Sequence, residues 1–341
     1  MSLRQTKIPW KDWKKSRECV ILAKNSSGHI RRSCLVQGLS RINTGRIRQV
    51  SAIRIVENEQ LKVCVSDHGA ELCSIFDKKA GREAVWTADP AYWNRHAPVL
   101  FPFVGKVTGG FYTYEGQKYP MGQHGFARDR GFLFLDADGS TIRHRLVSDE
   151  ESRKVYPFDF ELEIVHKLEG NCVTVEWKVN NPGEKRMYFS IGGHPGFCVS
   201  QNAGSRLVFE GKESLSRVAI DLETAGVDVE HPETLNLVQG AYQVDEHTFD
   251  RDALIFDHGQ VKQVSLEEAD GTRLVTMRCP DALSVGIWSP VGKQAPFICL
   301  EPWIGRCDNS GFTGELKDKF DIQSLDPGES FETAYDLVIG E

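Results

Sequence analysis

Proton-transfer chemistry needs a carboxyl or an imidazole held where water is scarce. In this chain of 341 residues three stretches offer such groups in apolar surroundings, and a fourth offers a single cation. The first is Phe297-Ile298-Cys299-Leu300-Glu301-Pro302-Trp303, an apolar strand pattern that ends in a carboxylate, a proline and a tryptophan. Burying an unpaired carboxylate is costly, so Glu301 is a candidate base with a tuned pKa. A surface glutamate at a strand exit is the plain alternative. The second and third stretches are Gly122-Gln123-His124-Gly125-Phe126-Ala127-Arg128 and Ser190-Ile191-Gly192-Gly193-His194-Pro195-Gly196-Phe197. A lone histidine is usually structural, but His124 and His194 sit in matching glycine-rich settings that imply tight backbone and an imidazole facing a cleft. The fourth, Ala97-Pro98-Val99-Leu100-Phe101-Pro102-Phe103-Val104-Gly105-Lys106, is an apolar run that ends in glycine and a single cation.

These groups must be carried by strands. From Arg48 onward apolar residues alternate with polar ones, as in Ile53, Ile55, then Leu61, Val63, Val65. Two-residue turn signals recur at Glu115-Gly116, Asp138-Gly139, Gly170-Asn171 and Asp270-Gly271, each between alternating runs. The clearest strand is Val173–Val179, paired across Gly170-Asn171 with Phe160, Leu162 and Ile164. Further strands are expected at Leu207–Glu210, Ala253–Phe256, Val264–Leu266, Leu274–Cys279, Leu283–Trp288 and Phe331–Val338. Helical pattern is confined to a short turn in Thr313–Phe320. Many short strands with almost no helix predict an all-β sandwich or barrel. No linker interrupts residues 49–341, which predicts one large β domain.

Composition narrows the function. The formal net charge of −7 argues against a general nucleic-acid binder. The charge is uneven: residues 1–48 hold 12 Lys/Arg and 2 Asp/Glu, leaving 29 and 46 in the rest. The basic front piece reads as a disordered arm without a catalytic role; a targeting segment or an upstream start codon would give the same composition. No run of 18 apolar residues exists, so no membrane span is expected. Nine cysteines without a CxxC pair predict reduced thiols, a cytoplasmic setting and no metal site.

The motifs Leu100-Phe101-Pro102…Gly105-Lys106, His124-Gly125-Phe126-Ala127-Arg128, Gly193-His194-Pro195-Gly196-Phe197 and Leu300-Glu301-Pro302-Trp303 resemble those of aldose 1-epimerases, the galactose mutarotases and their relatives. The resemblance covers about residues 50–340 and extends to the bacterial branch found with lactose-metabolism genes. It implies a large antiparallel β-sandwich, or supersandwich, and a reaction without a cofactor on a small-molecule sugar. It also implies that Glu301 takes the anomeric proton, that His194 protonates the ring oxygen, and that His124 hydrogen-bonds the sugar near that oxygen. An aspartate that reads sugar hydroxyls is matched by Asp252, with Asp250 as an adjacent competitor. Lys106 departs from the arginine that many relatives carry, and Arg128 is a second candidate for substrate binding. Phe126, Trp288 and Trp303 are candidates for the aromatic walls of a sugar pocket.

Three alternatives stand beside a free-hexose epimerase. A hexose-6-phosphate epimerase needs basic groups converging on the phosphate. A sugar-binding or regulatory module needs no turnover. A glycoside hydrolase needs two facing carboxyls, and only Glu301 has a motif. A monomer or homodimer is expected, with neither nucleic acid nor membrane as partner.

Overall fold

The computed structural model describes residues 51–340 apart from Ala225; the basic segment 1–48 lies outside them. Two large antiparallel sheets carry the fold. The nine-stranded sheet is centred on Ser330–Ile339, with the hairpin Glu161–Glu169 and Cys172–Asn180 on one side of it. Leu168 faces Val173 and Glu169 faces Cys172, so Gly170-Asn171 forms the expected two-residue turn. Tyr114 and Gln117 close a second hairpin over Glu115-Gly116. The eight-stranded sheet runs Val227–Asn236, Ser214–Ile220, Leu254–Phe256, Ser284–Trp288, Phe297–Ile304, Ile191–Gly193, Val99–Leu100. A further strand, Gly196–Cys198, also pairs with Phe297–Ile304.

The two sheets face each other across one apolar core. Leu162, Val173, Trp177 and Leu337 from one sheet and Phe256, Ile287, Ile298 and Leu300 from the other belong to the same buried cluster. Fully burying such a side chain contributes about 1.5–3 kcal/mol, before the entropy of ordering it. Gly193 marks how closely the sheets approach. A Cβ there would stand 2.9 Å from the Tyr335 hydroxyl and 3.4 Å from the Trp177 indole of the opposite sheet.

Helix is scarce, as the pattern implies. The α-helix Glu150–Val155 starts on Asp149, whose carboxylate accepts from the Ser152 N–H while the Ser152 hydroxyl accepts from the Asp149 N–H. The turn expected in Thr313–Phe320 is a single 3-10 turn, Leu316–Asp318. No helix among the described residues is long and apolar enough to cross a membrane.

Candidate active site

The site is built on the Phe297–Ile304 strand, all eight of whose residues are buried. Side chains alternate across a strand, so it serves two environments. Ile298, Leu300 and Ile304 enter the core between the sheets. Phe297 and Cys299 join a second cluster with Trp86, and Trp303 a third with Val104, Val218 and Ile255. Glu301 therefore shares the outer face with Cys299 and Trp303.

The neighbouring chain fixes what Glu301 meets. Gly192 pairs with Trp303 and Gly196 with Cys299. Carried through the gap between them, the same register places His194 directly opposite Glu301. Pro195 accepts from the Leu300 N–H at 3.1 Å, and Pro98 accepts from the His194 N–H at 3.1 Å. The result is a close pair, His194 Nε2 to Glu301 Oε1, at 3.3 Å. Both side chains are nearly closed off, at 9% and 2% exposed.

On the other side Glu301 faces Gly286. A Cβ at Gly286 would lie 2.3 Å from Trp303 Cζ2, and one at Gly192 would lie 2.7 Å from Trp303 Cδ1. The indole thus lies across three strands in a bed that two missing side chains create. Gly286→Ala is expected to push the indole out of this bed and to cost about 1–3 kcal/mol as an overpacking substitution. A lowered Tm in calorimetry checks it; an unchanged Tm would mean that the indole moves freely.

His124 enters from a loop that runs beside the sheet edge. Its backbone has φ of +65°, a left-handed conformation that costs a non-glycine residue roughly 1–2 kcal/mol. Reciprocal bonds with Gly105 hold it there. The His124 N–H donates to the Gly105 carbonyl at 2.8 Å, and the Gly105 N–H donates to Nδ1 at 3.1 Å. With Nδ1 accepting, the neutral ring carries its proton on Nε2. The two imidazoles meet edge to face with centroids 5.5 Å apart. Asp252 is also left-handed, at φ +68°. Backbone strain of this kind gathers at functional sites.

Aromatic rings pack around His194. Trp93 stacks on His194 at 4.7 Å, and Trp288 meets it edge to face at 5.5 Å. Trp93 escaped the sequence reading. Its one signal is the aromatic-rich stretch Tyr92-Trp93 in a loop, which carries no periodicity. Phe126 is placed differently from its expected role. Its ring packs on Phe101, Tyr156 and Phe160. The Phe126 and Ala127 N–H groups both donate to the Phe101 carbonyl, which pins the loop with that ring turned to the core. Trp303 is a bed under the site rather than an open wall, being 5% exposed.

The charged candidates separate in the same way. Asp252 is close enough to Lys106, Trp288 and Glu301 for each pair to interact. Asp250 is turned to the surface and holds His247 Nδ1 at 2.9 Å. Lys106 is exposed at the rim. Arg128 donates to the Gln123 carbonyl at 2.7 Å and braces the His124 loop. Arg95 and Arg128 flank Asp129, at 2.8 and 3.8 Å.

Burial sets the protonation states. Desolvation raises the Glu301 carboxyl well above its usual value, the charge of Asp252 raises it further, and the Trp303 indole opposes the rise. Desolvation drives His194 down to about 3, with Arg128 and Arg95 pushing the same way. His124 is also held well below its usual value by burial and by the His194 ring. Both shifts favour the same form of the pair, a protonated Glu301 carboxyl beside a neutral imidazole. Donor atoms of His194, Cys299 and Glu301 all lie within 4.8 Å of one another. Burial raises the Cys299 thiol as well, so this trio offers a cation one neutral nitrogen and two protonated groups. That is a poor nest for a metal, which needs deprotonated ligands.

The comparisons with known proteins agree with this architecture. The family model for aldose 1-epimerase matches residues 51–330. The plasmid-encoded protein LacX of Lactococcus lactis subsp. lactis is 30% identical over 295 residues, which span 83% of this chain and 98% of LacX. The solved structure of a galactose mutarotase related enzyme from Lactobacillus acidophilus has a TM-score of 0.78 at 34% identity, covering 85% of this chain and 97% of that one. A galactose mutarotase-like protein from Lactobacillus casei has the same TM-score at 29% identity, covering 84% and 99%. With the family match running through nearly all of the described residues, and the fold shared along the whole length of these relatives, the chain belongs to the aldose 1-epimerase family.

Proposed function

We propose that this protein is an aldose 1-epimerase that interconverts the α and β anomers of a free hexose or related sugar. The observation that carries the reading is the Glu301–His194 pair at 3.3 Å, packed beside the rings of Trp93 and Trp288. Ring opening needs that much and no more. One group takes the proton of the anomeric hydroxyl as the C1–O1 double bond forms. The other gives a proton to the ring oxygen as the C1–O5 bond breaks. Rotation about C1–C2 and the reverse transfers close the ring on the opposite face. No electrons are gained or lost, so the step asks nothing of a cofactor.

Glu301 is the base and His194 the acid in the assignment taken from the family motifs. That assignment needs the proton on His194 when the sugar is bound. A single transfer across the 3.3 Å contact delivers it, driven by sugar hydroxyls that hydrogen-bond the carboxylate. The reversed roles form a second reading, favoured by the burial that keeps the proton on Glu301 in the unliganded pair. His124, whose Nε2 meets the Gln123 side-chain amide at 3.2 Å, suits the ring oxygen once a sugar takes the place of that amide. Asp252 and Lys106 suit the sugar hydroxyls at the rim, and the tryptophan faces suit its C–H surfaces.

A neutral sugar fits better than a phosphorylated one. Arg95 and Arg128 already flank Asp129, and Lys106 acts on Asp252. Polarimetry of freshly dissolved α-galactose and α-glucose tests the proposal. The protein is expected to speed the approach to the equilibrium rotation of at least one of them. Sugar binding without any acceleration would instead favour a non-catalytic module, and stronger inhibition by glucose 6-phosphate than by glucose would move the substrate to a hexose phosphate.

A further inference from the structure

A cavity of about 280 Å³ opens at the Val227–Asn236 end of the eight-stranded sheet, away from the Glu301–His194 pair. It lies against the strands Ser214–Ile220 and Val227–Asn236 and the end of Leu254–Phe256. None of Glu301, His194 or His124 lines it. The apolar cluster of Val104, Val218, Ile255 and Trp303 fills the sheet face between the two places.

Its polar groups are unevenly used. Arg306 is 1% exposed, and its Nε donates to both oxygens of Asp257, at 2.9 and 3.0 Å. Its Nη1 donates to the Cys307 carbonyl at 2.9 Å. Nη2 is buried and has no partner, and neither has the Oδ1 of Asn309 in the same lining. An unpaired buried donor or acceptor destabilises the fold unless something pairs with it. One charged donor and one amide acceptor, orphaned on one cavity, ask for a ligand that both accepts and donates. The Phe320 ring, 4.1 Å from the Arg306 guanidinium, adds an aromatic face.

We propose that this cavity is a second carbohydrate site, one that takes a neutral hexopyranose independently of the catalytic pair. Asp257 cancels the charge of Arg306 at contact distance, so little net attraction is left for an anion. A hydroxyl can accept from Nη2 and donate to Oδ1, while the ring's C–H face lies on Phe320. The volume is near the lower end for ligand pockets, about 300 Å³, which suits a single ring.

Methyl β-galactoside and methyl β-glucoside are the probes, because a glycoside cannot open its ring and turnover does not intrude. Calorimetric titration of the full chain is expected to give two binding events with at least one of them. Asn309→Leu is expected to weaken one event by at least about tenfold, with kcat for mutarotation within about twofold of wild type. Val229→Trp, at a half-exposed position of the lining, is expected to do the same by filling the mouth, and it decides the matter where Asn309→Leu fails to fold. Binding left unchanged in a folded variant, no binding event in the wild type that Asn309→Leu or Val229→Trp weakens, or displacement of the cavity's sugar by inorganic phosphate would each overturn the proposal. So would a soaked crystal with only water between Arg306 Nη2 and Asn309 Oδ1. The readout is binding, so the result stands whatever the catalytic pair turns out to do; Glu301→Gln is expected to keep the second event.

Discussion

Glu301→Gln is expected to lower kcat for mutarotation by about 10²–10⁴-fold, the usual worth of a positioned acid–base group. The amide keeps the shape of the side chain and removes the exchangeable proton. The fold is expected to survive and, at alkaline pH, to gain stability. The sign follows from linkage. An unfolded Glu301 ionises near 4.5, whereas in the folded chain the carboxyl is raised by burial and by Asp252. Above pH 4.5 folding must therefore take up a proton, and each pH unit until the raised value is reached costs about a kcal/mol. Glutamine has no such cost. The Tm of the variant is expected to rise relative to wild type between pH 5 and pH 8, with little difference at pH 4. Polarimetry and calorimetry on the same samples test both halves. Near-normal turnover in Glu301→Gln would remove this residue from the chemistry.

His194→Asn is expected to lose as much activity, about 10²–10⁴-fold. Its pH profile carries the more specific information. On the proposed mechanism the wild-type kcat/KM needs one titratable proton on the pair, which makes the expected profile a plateau with two limbs. The acid limb falls where His194 takes a second proton, near its depressed value of about 3. The alkaline limb falls where the raised Glu301 carboxyl loses its proton. With Glu301 as the base, the residual rate of His194→Asn is expected to lose the acid limb and to rise, rather than fall, as the Glu301 carboxyl loses its proton; a kept alkaline fall would favour the reversed roles.

Much of the β architecture was legible because strand alternation is a property of neighbouring residues. The Gly170-Asn171 hairpin and the strands around Val264, Leu274 and Leu283 follow from period two and turn chemistry alone. The short helix at Glu150 was less visible, since six residues give too few turns for an apolar stripe. In the site, the glycine-flanked histidines and the strand-end carboxyl could be picked out because each breaks its local pattern. Trp93 could not, because its place depends on a loop packing over a sheet far along the chain. The direction of Phe126 was equally hidden. A glycine-rich loop fixes no periodicity, and hydrogen bonds to Phe101 decide which way the ring turns. The choice between Asp250 and Asp252 needed coordinates for the same reason: both are acidic, two residues apart, and only His247 draws one of them away.

The Phe297–Ile304 strand is buried on both sides, and this bears on how sugar preference can be re-engineered. Slipping it by one residue would deliver Leu300 to His194 and Glu301 to the core, so insertions there are ruled out. Each position faces one packed environment or the other, so even a point change meets close packing. Selection libraries aimed at a new sugar therefore belong on the rim of the site, in the loops around Trp93, Lys106, Gln123 and Asp252, where length and charge can vary without disturbing the strand that holds the reactive pair.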